Sequence, residues 1–160
     1  MNAWLDAYLI PLLVGVPLVG MFFVAIMPGS DRIALRHAGL GTAIVTGLIA
    51  LRALWLTLGS DVDPAAQPLE LSTSWGGLVP GGIRLGLDAA RAPLLLVLVV
   101  LAPMTLRAGA PRIIERTKGY VLLNLLFLTL SIDALLSQHV LVTLALLDAS
   151  LLPLLLLLGL

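Results

Sequence analysis

The chain has no cysteine, which excludes a disulfide framework, an iron–sulfur cluster and a thiolate zinc site. Charge is scarce. Asp, Glu, Lys and Arg together make up 11% of the residues, and the formal net charge is zero. The bases are scattered arginines plus one lysine, Lys118, so there is no basic face for nucleic acid. Aromatics are only 5% of the residues and histidine occurs twice, as His37 and His139. What remains is apolar: 60% of residues are hydrophobic, more than a soluble domain of this length could keep from aggregating, which marks an integral membrane protein. The apolar runs do not alternate, and this favours helices over a barrel. The first run is too long for a cleaved signal peptide and has no basic leader, so it is expected to be a retained span.

The expected fold is all-α, with about five transmembrane helices and the N-terminus outside. Residues 1–58 hold the first two spans, 59–91 form an outer loop, and 92–160 hold spans three to five. Span one is expected from Trp4 to Met27, enough to cross roughly 30 Å of hydrocarbon. Pro11 and Pro17 should bend it, and Pro28-Gly29-Ser30-Asp31 should end it. Span two is expected from Ile33 to Leu58, with Gly39, Gly41 and Gly47 suited to close helix packing. In it Arg52 is within snorkelling reach of an interface marked by Trp55.

The stretch from Gly59 to Arg91 is the long polar one. Its glycine pairs, Gly76-Gly77 and Gly81-Gly82, are not followed by Gly-Lys-Ser/Thr, so it reads as an exposed loop with turns and a short hairpin and not as a phosphate loop. Span three, from Ala92 to Leu106, is short unless it begins near Leu85 and takes in Asp88 and Arg91, which would then face protein or each other. Pro93 suits an early helical position and Pro103 should kink the span. The link at 107–118 carries Arg107, Arg112, Arg116 and Lys118 against Glu115. By the positive-inside rule that link is cytoplasmic, and the N-terminus and acidic loop lie outside.

Span four is expected from Gly119 to Ser137 and span five from His139 to Leu160. Only Ser137-Gln138 separates them, which implies antiparallel neighbours. Asp148 then falls near the membrane midplane. A charged aspartate at a helix centre costs roughly 2.5–3.5 kcal/mol on insertion scales, so an ionisable group there is a candidate site. Pro153, five residues on, frees a carbonyl in the turn of Ala149. Two readings of Asp148 stay open: a proton relay, or a protonated carboxyl donating one hydrogen bond across a helix interface. Asp133, one turn from the outer end, reads as solvated or hydrogen-bonded. His37 and His139 lie at opposite ends of the bundle and cannot share an iron or a zinc. No Ser/His/Asp set lies at one depth, which disfavours an intramembrane protease.

Trp75-Gly76-Gly77-Leu78-Val79-Pro80, followed by Leu85-Gly86-Leu87-Asp88 with Pro93 and Pro103, resembles the entry to the third helix of the proton-pumping subunits of respiratory complex I, the NADH-quinone oxidoreductase chain M family. Lys118-Gly119-Tyr120 is similar to the start of that family's fourth helix. Leu147-Asp148-Ala149-Ser150-Leu151-Leu152-Pro153 is similar to its fifth, with aspartate in place of the relay glutamate. The resemblance covers the chain, more firmly from Trp75 onward. Ala89 stands for a usual glycine, Arg91 for a small polar residue and His139 for a common acidic one, and the run Val140 to Leu147 lacks the family's aromatics. The central lysines of the family map onto no position here.

The resemblance implies a membrane-arm subunit of a complex I-type or related antiporter-like assembly in a bacterial inner membrane or an equivalent energy-coupling membrane, contributing to proton translocation coupled to quinone reduction, with Asp148 as relay carboxyl. Asp133, His139 and Lys118 would be secondary carriers. Other membrane subunits and the lipid bilayer would be its partners, nucleic acid would not, and the chain itself would hold no cofactor and catalyse nothing alone. The alternative is a non-catalytic structural or assembly subunit derived from that family. A third expectation, drawn from the bare leucine run at the end, is that the sequence is a piece of a longer one.

Overall fold

The computed structural model describes residues 8–59, 69–73, 83–87, 90–109 and 116–159. The described residues form five helices and one strand pair: α1 (Leu9–Ile26), α2 (Arg32–Gly59), β1 (Leu69–Thr73), β2 (Ile83–Leu87), α3 (Ala92–Gly109), α4 (Thr117–Leu136) and α5 (Val140–Leu158). All five helices are long and apolar enough to cross a membrane. Trp4, the expected start of span one, the Trp75 to Pro80 motif, Asp88, Ala89, Arg112 and Glu115 lie outside the described residues.

Local chemistry sets the helix ends. Pro11 falls in the first turn of α1, where a missing N–H forfeits no intrahelical bond, so only Pro17 sits inside the helix. The chain turns at Pro28, whose carbonyl accepts from the Asp31 N–H at 3.3 Å. Asp31 then caps α2, its Oδ1 accepting from the Ala34 N–H at 3.1 Å. Span three differs from the longer of its two expected forms. Residues from Ile83 to Leu87 pair as a strand instead of extending α3, and the helix gains its length at the other end, through Gly109.

The expected hairpin is present, antiparallel, with Leu69 opposite Leu87, Leu71 opposite Leu85 and Thr73 opposite Ile83. Leu85 also bridges to Ser137, which seats the hairpin on the turn between α4 and α5. The N-terminus of α3, the C-terminus of α2 and this turn therefore share one end of the bundle, the hairpin end. The C-terminus of α3 and the N-terminus of α4 lie at the other, basic end.

α4 is the centre. It packs against α1, α2, α3 and α5, and 56% of its apolar stretch is buried, against 11% for α5. Val121, Leu125, Leu128, Ile132 and Leu136 are its fully enclosed side chains. Small residues let the helices approach: a Cβ on Gly39 would come within 2.6 Å of Val121 Cγ1, and one on Gly47 within 3.0 Å of Val99 Cγ1. Gly41, expected to do the same, meets nothing within 4 Å. Two buried threonine hydroxyls are satisfied within their own helices: Thr46 Oγ1 donates to the Thr42 carbonyl and Thr129 Oγ1 to that of Leu125, each at 2.8 Å.

Candidate functional site

α5 is apolar on nearly every face, so its packing and not its pattern decides what each side chain meets. Of its residues only Ser150 and Pro153 are buried, and the helix leans on α4 along that narrow strip. Asp148 precedes Ser150 by two residues, more than half a turn at 3.6 residues per turn, and it is accordingly exposed. Its neighbours one and two turns away, Leu141, Leu144, Leu151, Leu152 and Leu155, are 72%, 54%, 52%, 63% and 65% exposed. The sequence placed this carboxyl at mid-helix, and it is there. Within this chain it stands on the outer wall of the bundle, at the centre of a leucine face, and is not enclosed. Beside it, Pro153 removes the N–H that would bond the Ala149 carbonyl, and Ser150 Oγ donates to the Leu147 carbonyl at 2.7 Å.

A second polar group gathers at the hairpin end, around the turn that joins α4 to α5. Asp133 is partly buried. Its Oδ1 is sealed from solvent and has no hydrogen-bond partner among the described residues, while its backbone carbonyl accepts from the Ser137 N–H at 2.9 Å. His139 caps α5 by its backbone, with its carbonyl accepting from Thr143 N–H at 2.9 Å and from Thr143 Oγ1 at 3.1 Å. Its Nδ1 is sealed and unpartnered among the described residues as well. Arg91, at the start of α3, reaches across to this turn and donates from Nη1 to the carbonyls of Leu135, at 3.1 Å, and Ser137, at 2.5 Å. It faces protein, as one of the two expectations had it; its other proposed partner, Asp88, is not among the described residues.

Lys118 lies at the basic end and is used differently. Its Nζ donates to the carbonyls of Ala25 and Met27, both at 2.8 Å, and so closes the C-terminus of α1. A cation on the last carbonyls of a helix also opposes the negative end of its dipole. Two of the three ammonium donors are thus engaged, which leaves one N–H for a further acceptor. Neither Lys118 nor the hairpin-end group is brought to Asp148 by any bond among the described residues.

Spacing alone did not reveal one interhelical network. Tyr120 OH donates to the Thr105 carbonyl at 2.7 Å, and Thr105 Oγ1 lies 3.1 Å from Asn124 Oδ1, tying α3 to α4. Asn124 and Tyr120 stand four residues apart on one side of α4, and that is the signal the sequence did carry. His37, in the second turn of α2, bonds through Nδ1 to the Ile33 carbonyl at 2.7 Å, in the tautomer protonated at that nitrogen. It lies at the basic end, opposite His139. Among the described residues no three His, Cys, Asp or Glu side chains come together as metal ligands would.

No family model matches the chain. Two curated proteins are similar to it: the NADH-quinone oxidoreductase subunit M of Mycobacterium tuberculosis strain CDC 1551 / Oshkosh and that of strain ATCC 25618 / H37Rv, each 28% identical over 96 residues. That similarity takes in 59% of this chain but 16% of each relative. The chain therefore spans well under a fifth of the length of the proteins it matches, and the likeness is a distant one.

Proposed function

We propose that this chain is a membrane-arm component of a complex I-type assembly in an energy-coupling inner membrane, corresponding to the N-terminal part of subunit M. In this reading Asp148 is a carboxyl that takes part in proton translocation. The observation that carries it is the position of Asp148 on an exposed leucine face at the middle of α5. An ionised carboxyl facing acyl chains there is disfavoured by roughly 2.5–3.5 kcal/mol. A helix from outside residues 1–160 that covers this face and brings a base would relieve the cost and complete the site. Asp133 and His139, each with a sealed polar atom lacking a partner among the described residues, are the secondary carriers. Lys118 holds the end of α1 with two of its donors and would enter the path through the third. The similarity to subunit M supports the family, and a carboxyl at the middle of α5 supports the role. No cofactor is assigned to the chain.

The test is Asp148→Asn in the membrane assembly. Proton translocation should fall while the assembly still forms, and translocation at the original rate overturns the relay. The second reading, a structural subunit that binds partner helices and lipid, is favoured by the same exposed face. Under it Asp148→Asn is silent, and deletion of the chain makes a larger complex fall apart.

A further inference from the structure

Between α2 and α3 runs a groove of about 460 Å³ whose walls are apolar, among them Gly47, Leu48 and Leu54 on α2 and Leu96, Val100 and Met104 on α3. The helices meet tightly at its floor, where Gly47 faces Val99, and stand apart above it. Along α2 the groove extends from Ala43 to Leu54, about 16 Å at the α-helical rise. That is about half of the roughly 30 Å hydrocarbon core, the reach of a single acyl chain. The hairpin end of the groove differs in kind from its walls. Arg52 follows the lining Leu48 by one turn and is exposed, and Trp55 follows Leu51 by one turn and is 73% exposed. An exposed guanidinium on a membrane-spanning helix is disfavoured unless its stem carries it to an anion at the interface. Indole rings settle at the same level.

We propose that the α2–α3 groove binds one acyl chain of an anionic phospholipid whose phosphate is held by Arg52 beside Trp55. The groove supplies an apolar seat of the right length, and Arg52 supplies the charge that selects the headgroup. A guanidinium has five donors, so a phosphate can be bonded alongside the interaction Arg52 already makes. The inference rests on the five membrane-spanning helices and not on proton transfer by Asp148.

The experiment is native mass spectrometry of the full chain, or of the assembly that contains it, equilibrated with equal amounts of phosphatidylglycerol and phosphatidylcholine of the same acyl composition. Phosphatidylglycerol should be retained in preference. Arg52→Gln should lower that preference about fivefold, the worth of one arginine near an anionic surface, without changing total lipid. Arg52→Lys should keep it. Val100→Trp, which fills the groove from a wall position that is 50% exposed, should lower retention of both lipids. Arg107→Gln, one turn beyond Met104 at the basic end, should leave the preference unchanged. The proposal is overturned by equal retention of the two lipids, by a preference that survives Arg52→Gln, or by one lost with Arg107→Gln instead. It is overturned too if a photo-crosslinker at Leu48 captures a protein helix in the native membrane and no lipid.

Discussion

Arg91 donates from Nη1 to the carbonyl of Leu135 at 3.1 Å, across 44 residues of sequence. The same nitrogen reaches Ser137, so one guanidinium closes the end of α4, places the start of α3 beside it, and holds the turn into α5. Hydrogen bonds to a charged donor contribute about 1.5–3 kcal/mol each when partly buried. Arg91→Gln should therefore destabilise the bundle by about 2 kcal/mol, read as a lower unfolding midpoint in detergent. It should also speed amide exchange in the last turn of α4. An unchanged midpoint would mean that the backbone turn holds itself.

Lys118 should behave as a staple on α1. Lys118→Met leaves the carbonyls of Ala25 and Met27 without a partner and removes a cation from a helix C-terminus, for a loss of about 1–2 kcal/mol. Hydrogen exchange should rise at the end of α1 and stay level in α5. Lys118→Arg, which keeps the charge and the donors, should recover most of the protection.

Close approach of α2 to α4 depends on Gly39. Gly39→Ala puts a methyl 2.6 Å from Val121 Cγ1, and overpacking of this kind costs about 1–3 kcal/mol. Val121→Ala should rescue part of the loss in a double-mutant cycle. Gly41→Ala, with nothing within 4 Å, should be neutral or slightly stabilising, because alanine is the better helix former.

The polar tie between α3 and α4 is worth less than its burial suggests. Asn124→Leu removes one acceptor of Thr105 Oγ1, yet that hydroxyl keeps the Ala102 carbonyl at 2.9 Å. Interhelical hydrogen bonds in membranes average about 0.6 kcal/mol, and thermal unfolding of Asn124→Leu should show a change of that order. A loss several times larger would show that Asn124 does more than join two helices.

Legibility in the sequence followed the strength of each physical signal. Long apolar runs broken by Pro28-Gly29-Ser30-Asp31 and by the polar stretch after Gly59 place the helices within a few residues, since hydropathy is a property of composition. The short link expected at Ser137-Gln138, three residues long in the fold with His139 added, told correctly that α4 and α5 are antiparallel neighbours. The facing of α5 was not readable: a helix of leucines on every side has no amphipathic direction, so Asp148 could be assigned a depth but not a face. Arg91 and Lys118 were visible as charges near span ends, but their acceptors are backbone carbonyls, and main-chain acceptors leave no trace in residue identity. Gly39 and Gly47 do meet other helices while Gly41 does not, because spacing names a small-residue stretch and only packing selects which of its members faces a neighbour.

Asp148→Leu should have opposite signs in two settings, and the difference measures what covers α5. In the chain alone the carboxyl is exposed among leucines, and replacing it with leucine removes an insertion penalty of about 2.5–3.5 kcal/mol. Insertion of α5 should become more efficient and the isolated chain more stable in lipid. In an assembly where a base on another helix faces this position, the same substitution strands that base in hydrocarbon, a loss of about 3–5 kcal/mol for breaking a buried pair. Co-purification of the neighbouring subunit should then fall, while Asp148→Glu, which keeps the charge, should preserve it. If Asp148→Leu stabilises the chain and leaves the assembly equally tight, the leucine face of α5 meets lipid, and Asp148 has no partner base to exchange a proton with.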